Sequence, residues 1–129
     1  MNIDATEYPI VWMDYEPARG VSVEAALADI STLLVRGQPL VFLATGEPGN
    51  GNDKARAEDR RTVALWMKSN KHAIRRFALG HVQIVPEATK RVAMRAFAVV
   101  FAKFWGYPMF VVASEEEARA KASALLANA

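Results

Sequence analysis

The chain of 129 residues contains no cysteine, and this absence excludes disulfides, thiolate metal sites and a cysteine nucleophile. It fits a reducing compartment, so we expect a cytoplasmic protein. Long apolar runs are also missing. The most apolar segment, VAMRAFAVVFAKFW, is interrupted by Arg95 and Lys103 and is shorter than the roughly 20 residues that a membrane span needs. The N-terminus lacks a charged region followed by an apolar stretch, so no secretory signal is expected.

Histidine is scarce as well, with only two in the chain. His72 falls in a basic helix, where exposure to solvent is the simpler interpretation, and His81 opens a strand, where a hydrogen bond at the sheet edge would account for it. No compact group of histidines and carboxylates stands out, and no nucleophilic triad is recognisable. The sequence therefore predicts no catalytic residue, no metal site and no cofactor.

Strand-like and helix-like apolar patterns alternate along the chain. This alternation predicts one α/β domain over residues 1–129, with a four- or five-stranded, mixed and mostly parallel sheet and about four helices. The segment MNID would supply the fifth strand by pairing with IVWMDY. The other strands are predicted at 10–15, PLVFLAT, HVQIVP and PMFVVA, and the helices at VEAALADISTLLVRG, AEDRRTVALWMKSNKHAIRRFALG (ending at Gly80), 87–105 and EEEARAKASALLANA.

Four segments together resemble a known family: the Pro-led first strand, GQPLVFLA, the long stretch from EDRRTVALW to RVAMRAF, and PMFVVASEEEARAKASALL. They are similar to the small bacterial STAS-like domains, named for sulfate transporters and anti-sigma-factor antagonists. The resemblance implies their fold and a non-catalytic binding or regulatory role. It does not extend to their phosphorylation switch, because the matching loop, TGEPGNGNDKARAEDR, contains no serine and has Thr45 only at the strand end.

That glycine-rich loop is a candidate ligand site. Its glycines match the first spacing of a P-loop, but Asn52 and Asp53 stand where the P-loop lysine and hydroxyl residue belong, so a nucleotide-binding motif is excluded. Two interpretations stay open: a connector, or an anion pocket at a helix N-terminus. A small anionic ligand would bind at the mouth formed by the strand ends, and the candidate residues are Asp14, Thr45, Gly46, Gly49, Gly51 and Lys54.

Charge is distributed unevenly. Residues 1–50 carry a net charge of −5, residues 51–110 carry +8, and the rest carry −1. The basic middle is where an anionic partner would bind, although a solvated helix face would look the same. Nucleic acid is not expected, because the aromatic residues of the basic helix lie towards its apolar side and no RNA-binding signature is present.

The third predicted helix carries more apolar surface than one sheet can cover. From Val92 to Trp105 only Arg95 and Lys103 interrupt apolar residues, and they lie about 80° apart on a helix. A protein partner, a second copy or a lipid-like ligand would bury the surplus, whereas neighbouring helices would do so in the alternative case. We predict a partner interface at Val92, Ala96, Val99 and Val100. The leading hypothesis is a non-enzymatic binding or regulatory module acting through protein contact, expected to self-associate, and the alternative is a small-molecule-binding or enzyme-related domain.

Overall fold

The computed structural model describes residues 2–15, 22–46 and 53–129, with the side chains of residues 53–56 outside that description. From the second strand onwards, strands and helices alternate as the apolar pattern predicts, and the first three helices each connect two parallel strands. The strands are β1 (Asn2–Asp4), β2 (Ile10–Asp14), β3 (Leu40–Thr45), β4 (Ala78–Ile84) and β5 (Met109–Val112). The helices are α1 (Val23–Leu34), α2 (Asp53–Phe77), α3 (Ala88–Trp105) and α4 (Glu115–Ala127).

The five strands lie in the sheet in chain order, β1 to β5. β1 pairs antiparallel with β2, and β2 to β5 are parallel. This mixed, mostly parallel sheet with four helices confirms the predicted fold class. Because every parallel crossover moves in the same direction and such crossovers are right-handed, α1, α2 and α3 lie on one face. The helix α4 follows the last strand and covers the other face.

Two apolar cores flank the sheet. The larger lies under the three crossover helices and includes Phe42, Ile74 and Phe101, while the smaller packs Val41 and Leu43 against the small residues of α4. The run LVFLA of β3 is buried throughout. A central strand covered on both faces needs such a continuous apolar run.

The strand β4 begins earlier than predicted. It starts at Ala78, and Gly80, expected to end the preceding helix, lies inside the strand. The register with β3 shifts at this point, because Leu40 pairs with Ala78 and the next residue pairs with Gly80. A Cβ atom at Gly80 would lie 3.0 Å from the ring of Phe110, so glycine lets this ring pack closely against the strand. The extra residue also turns His81 towards the three-helix side.

Candidate functional site

The predicted ligand residues at the strand ends do not form one site. Asp14 and Thr45 are paired neighbours on β2 and β3. They follow Met13 and Ala44, which belong to the core under the three crossover helices, so their side chains alternate to the α4 face. There they border a shallow cavity of about 420 Å³ beside Trp12.

Gly46 lines a different cavity on the α3 side of the sheet. This second cavity, of about 500 Å³, lies between the ends of β3 and β4 and the first half of α3, and we call it the α3 pocket. Its described walls are mainly apolar, with Val85, Met94 and Phe97 among them. Gly49 and Gly51 lie outside the described residues, as does the side chain of Lys54 in α2. The anion-pocket interpretation of the loop therefore stays a prediction.

A buried polar chain leads from the core to Gly46, and sequence reasoning missed it. The His81 ring nitrogen Nε2 lies 3.0 Å from Gln83 Oε1, and Gln83 Nε2 donates to the Gly46 carbonyl over 2.7 Å. Because the glutamine oxygen accepts, Nε2 of the neutral imidazole carries the proton. Both side chains are fully buried in β4, a central strand rather than the predicted sheet edge. Only the bulge, which the sequence did not reveal, explains their direction.

Burial keeps the groups around this chain neutral. It lowers the pKa of His81 to about 4, against which the hydrogen bond with Gln83 acts weakly. The imidazole packs 5.0 Å from the Phe101 ring and 6.2 Å from the Tyr15 ring, measured between centroids. Burial also raises the pKa of Tyr15 and of Tyr107. At neutral pH, this cluster therefore holds a neutral imidazole among aromatic rings, which is a packing arrangement and not a general base open to substrate.

The outer face of α3 carries the predicted interface residues, and it is exposed. Val99 is 60% exposed and Val100 is 62% exposed, and Val92 and Ala96 are exposed as well. The helix is held to the core by its opposite side, where Phe101 is buried. Val92, Ala96, Val99 and Val100 fall within about 100° of one another on the helix. They form one continuous apolar surface, which we call the α3 face.

The C-terminal end of α3 is fixed by a basic residue of α2. Arg75 donates from Nε to the Trp105 carbonyl over 3.2 Å and from Nη2 to the Phe104 carbonyl over 3.0 Å. These are carbonyls that the helix itself leaves unpaired. Arg75 therefore does more than add charge to the surface of α2, because it also caps the helix that carries the α3 face.

Replacing Gly106 by alanine is expected to release this cap. Gly106 has φ +86°, and an added Cβ would lie 2.3 Å from Arg75 Nε. Left-handed strain and the displaced arginine together predict a loss of about 2 kcal/mol in the free energy of unfolding. Gly37→Ala is the matched control, because Gly37 has φ +66° but its nearest neighbour would be 3.9 Å away. Urea denaturation of both variants measures the difference, and equal losses would contradict the cap.

The described residues contain neither a candidate metal site nor a candidate membrane span. In residues 2–15, 22–46 and 53–129, no three His, Asp or Glu side chains are grouped so that they could hold a metal ion. Nor is any helix within those ranges both long and apolar enough to cross a membrane.

Comparison with known proteins adds no relative. No family model matches the chain, no curated protein matches it, and no solved structure matches it. Among the described residues, the α3 face and the adjoining α3 pocket combine exposed apolar surface with a cavity.

Proposed function

We propose that this protein is a non-enzymatic binding module that acts through protein contact at the α3 face. The observation that carries the proposal is the exposure of three valines, Val92, Val99 and Val100, on one side of a helix whose other side is buried. Phe97 and Phe104 extend the exposed apolar surface along the same helix. A contiguous apolar surface of this kind on a folded domain is typical of an interaction site.

The resemblance to STAS-like domains supports the same proposal. The sequence segments that carry it fall on β2, β3, the stretch from α2 to α3, and β5 with α4. That family implies a binding or regulatory role without catalysis, and the buried, neutral environment of His81 agrees with such a role. We therefore propose a STAS-like regulatory domain that exerts its effect by binding a protein at the α3 face.

Self-association is the simplest form of this contact, because a second copy brings the same apolar surface to a twofold axis. We expect the wild-type chain to associate with a concentration dependence, and Val99→Glu to remain monomeric and folded. A glutamate at an exposed position is hydrated in the monomer but would be desolvated at the contact. Light scattering coupled to size-exclusion chromatography measures the mass, and circular dichroism measures folding.

Val35→Glu is the control for the association measurement. Val35 ends α1 and is 86% exposed, so the substitution adds the same charge away from the α3 face. It should associate as the wild type does. A wild-type chain that stays monomeric at high concentration would remove self-association, and an unfolded Val99→Glu variant would contradict the exposed placement of this residue.

A second candidate function is small-molecule binding in the α3 pocket. Its volume of about 500 Å³ falls within the range of small-ligand sites, and its mainly apolar walls suit a lipid-like molecule. Dodecanoate is a suitable probe. An increase in melting temperature that is saturable and is abolished by Phe97→Ala would favour this function over protein contact.

A further inference from the structure

The α3 face carries positive charge and no described negative charge. On the helical repeat, Lys103 projects within the arc of the four interface residues, and Arg95 lies about 40° beyond Val99. Both side chains are exposed. Neither forms an ion pair with an acid in the part of the chain that the structure describes. Any occupant of the apolar surface therefore comes close to two cations that have no acidic partner among the described side chains.

The apolar surface also continues into the α3 pocket. Ala93 lies about 20° beyond Val100 on the helix and Phe97 about 60° beyond it. Both residues line the pocket, together with Met94 and Val85. Its charged lining residues, Glu87 and Lys90, pair with each other, with 3.7 Å between Lys90 Nζ and Glu87 Oε1. Val85 and Pro86 form one wall of the pocket. Arg91 holds this wall in place, because its Nη1 donates to the carbonyls of Val85 and Pro86 over 2.9 and 2.7 Å. The small apolar side chains of the α3 face therefore lead to a cavity that can receive a bulky apolar side chain.

We propose that the preferred occupant of the α3 face is an acidic amphipathic helix of another protein. Its apolar stripe packs on Val92, Ala96 and Val100, one bulky apolar residue enters the α3 pocket, and carboxylates beside the stripe pair with Arg95 and Lys103. Helices docked in this way use apolar anchors at helical spacing. The small side chain of Ala96 lets the two backbones come close. This inference rests on the proposed function and specifies the partner.

Charge and shape distinguish this occupant from two others. A second copy fits the apolar surface but brings another Arg95 and Lys103, so like charges weaken that association. An anionic membrane satisfies the cations. However, a planar membrane surface leaves the concave pocket empty, whereas a bulky side chain of a docked helix can enter it. An acidic amphipathic helix can cover the apolar side chains of the α3 face, fill the pocket and pair with both cations.

The test uses two synthetic amphipathic helical peptides of 18 residues with the same leucine stripe. One has glutamate beside the stripe and the other has lysine at the same positions. Fluorescence anisotropy on the full chain should show the glutamate peptide binding at least about tenfold more tightly at low salt, with affinity falling as salt is added. The variant Arg95→Gln/Lys103→Gln should reduce that affinity by about tenfold. Lys121→Gln, on α4 at the opposite face, should change it by less than about twofold.

The possible results distinguish a wrong class of partner from a wrong proposed function. Equal binding of both peptides would overturn the acidic partner while leaving protein contact at the α3 face. Loss of binding in Lys121→Gln as large as in the double variant would show general charge attraction and would also overturn it. If neither peptide binds, the inference fails, and the mass of the Val99→Glu variant then decides whether the second copy covers the face. Binding to phosphatidylglycerol vesicles in place of the peptide would identify a membrane and likewise overturn the inference.

Discussion

Replacing Phe101 by alanine is expected to lower the free energy of unfolding by about 4 kcal/mol, the range for a large aromatic side chain removed from a packed core. Phe101 is the buried residue of α3 and lies at the centre of an aromatic cluster. Its ring centroid is 5.0 Å from that of His81, 5.5 Å from that of Tyr107 and 5.9 Å from that of Trp105. Urea denaturation followed by circular dichroism measures the loss.

Phe97→Ala is the matched control for this prediction. Phe97 lies one turn earlier on the same helix, contacts Phe101 at 6.3 Å between ring centroids and is 44% exposed. Because its ring already contacts water, its removal should cost less than about 2 kcal/mol. Similar losses in the two variants would show that α3 is not attached to the sheet mainly through Phe101.

The Phe101 variant also bears on binding, because this residue positions the α3 face without contacting a partner. A folded Phe101→Ala chain, measured below its denaturation midpoint, should bind the acidic peptide more weakly than the wild type. The exposed valines are unchanged in this variant, so the loss would arise from a less ordered helix. Unchanged affinity would indicate that α3 keeps its place without the aromatic anchor.

Acidification is expected to destabilise the fold through His81. The unfolded imidazole takes up a proton near pH 6.5, whereas in the folded chain burial lowers the pKa to about 4. The unfolded state therefore binds more protons as the pH falls, and stability present above pH 6.5 is progressively lost towards pH 4. Between pH 7 and pH 4 this single group accounts for a loss of about 3 kcal/mol.

His81→Gln isolates the contribution of the imidazole. Glutamine does not titrate, and its amide can still donate to the Gln83 oxygen in the buried chain. Carboxylates shift stability in both proteins over the same range, so the quantity to compare is the change in unfolding free energy from pH 7 to pH 4. The wild type should lose about 3 kcal/mol more than the variant. Parallel pH profiles would mean that His81 is protonated in the fold without penalty.

The outer face of α3 is a feature that the sequence pattern of a single helix was sufficient to predict. Apolar residues over more than one side of a helix predicted surplus apolar surface at Val92, Ala96, Val99 and Val100, and these side chains are exposed. Which side faces outward follows from helical spacing alone. The N-caps are equally local, since Ser22 accepts from the Ala25 amide and Ser114 from the Glu117 amide.

The strand ends show where local pattern stops being sufficient. Asp14, Thr45 and Gly46 are close in the fold, as parallel strands predict. However, alternation along β3 sends Thr45 to the α4 face, while Gly46 lines the α3 pocket. Residues at neighbouring strand ends can point to opposite faces of the sheet, so closeness along the edge does not place them in one site. The α3 pocket itself depends on how the β4–α3 connection meets α3, which no single segment encodes.

The sequence by itself determined the order of strands and helices, the continuous apolar run of β3 and the apolar outer side of α3, because each depends on the residue pattern within one segment. The tertiary structure alone decided the direction of His81 and Gln83, the capping of α3 by Arg75 and the α3 pocket. Each of these requires groups distant in sequence to meet: the bulge forms where β4 pairs with β3 under Phe110, and the cap joins residues 29 and 30 positions apart. Local periodicity predicts the strands and helices themselves, but such contacts depend on how these elements pack against one another.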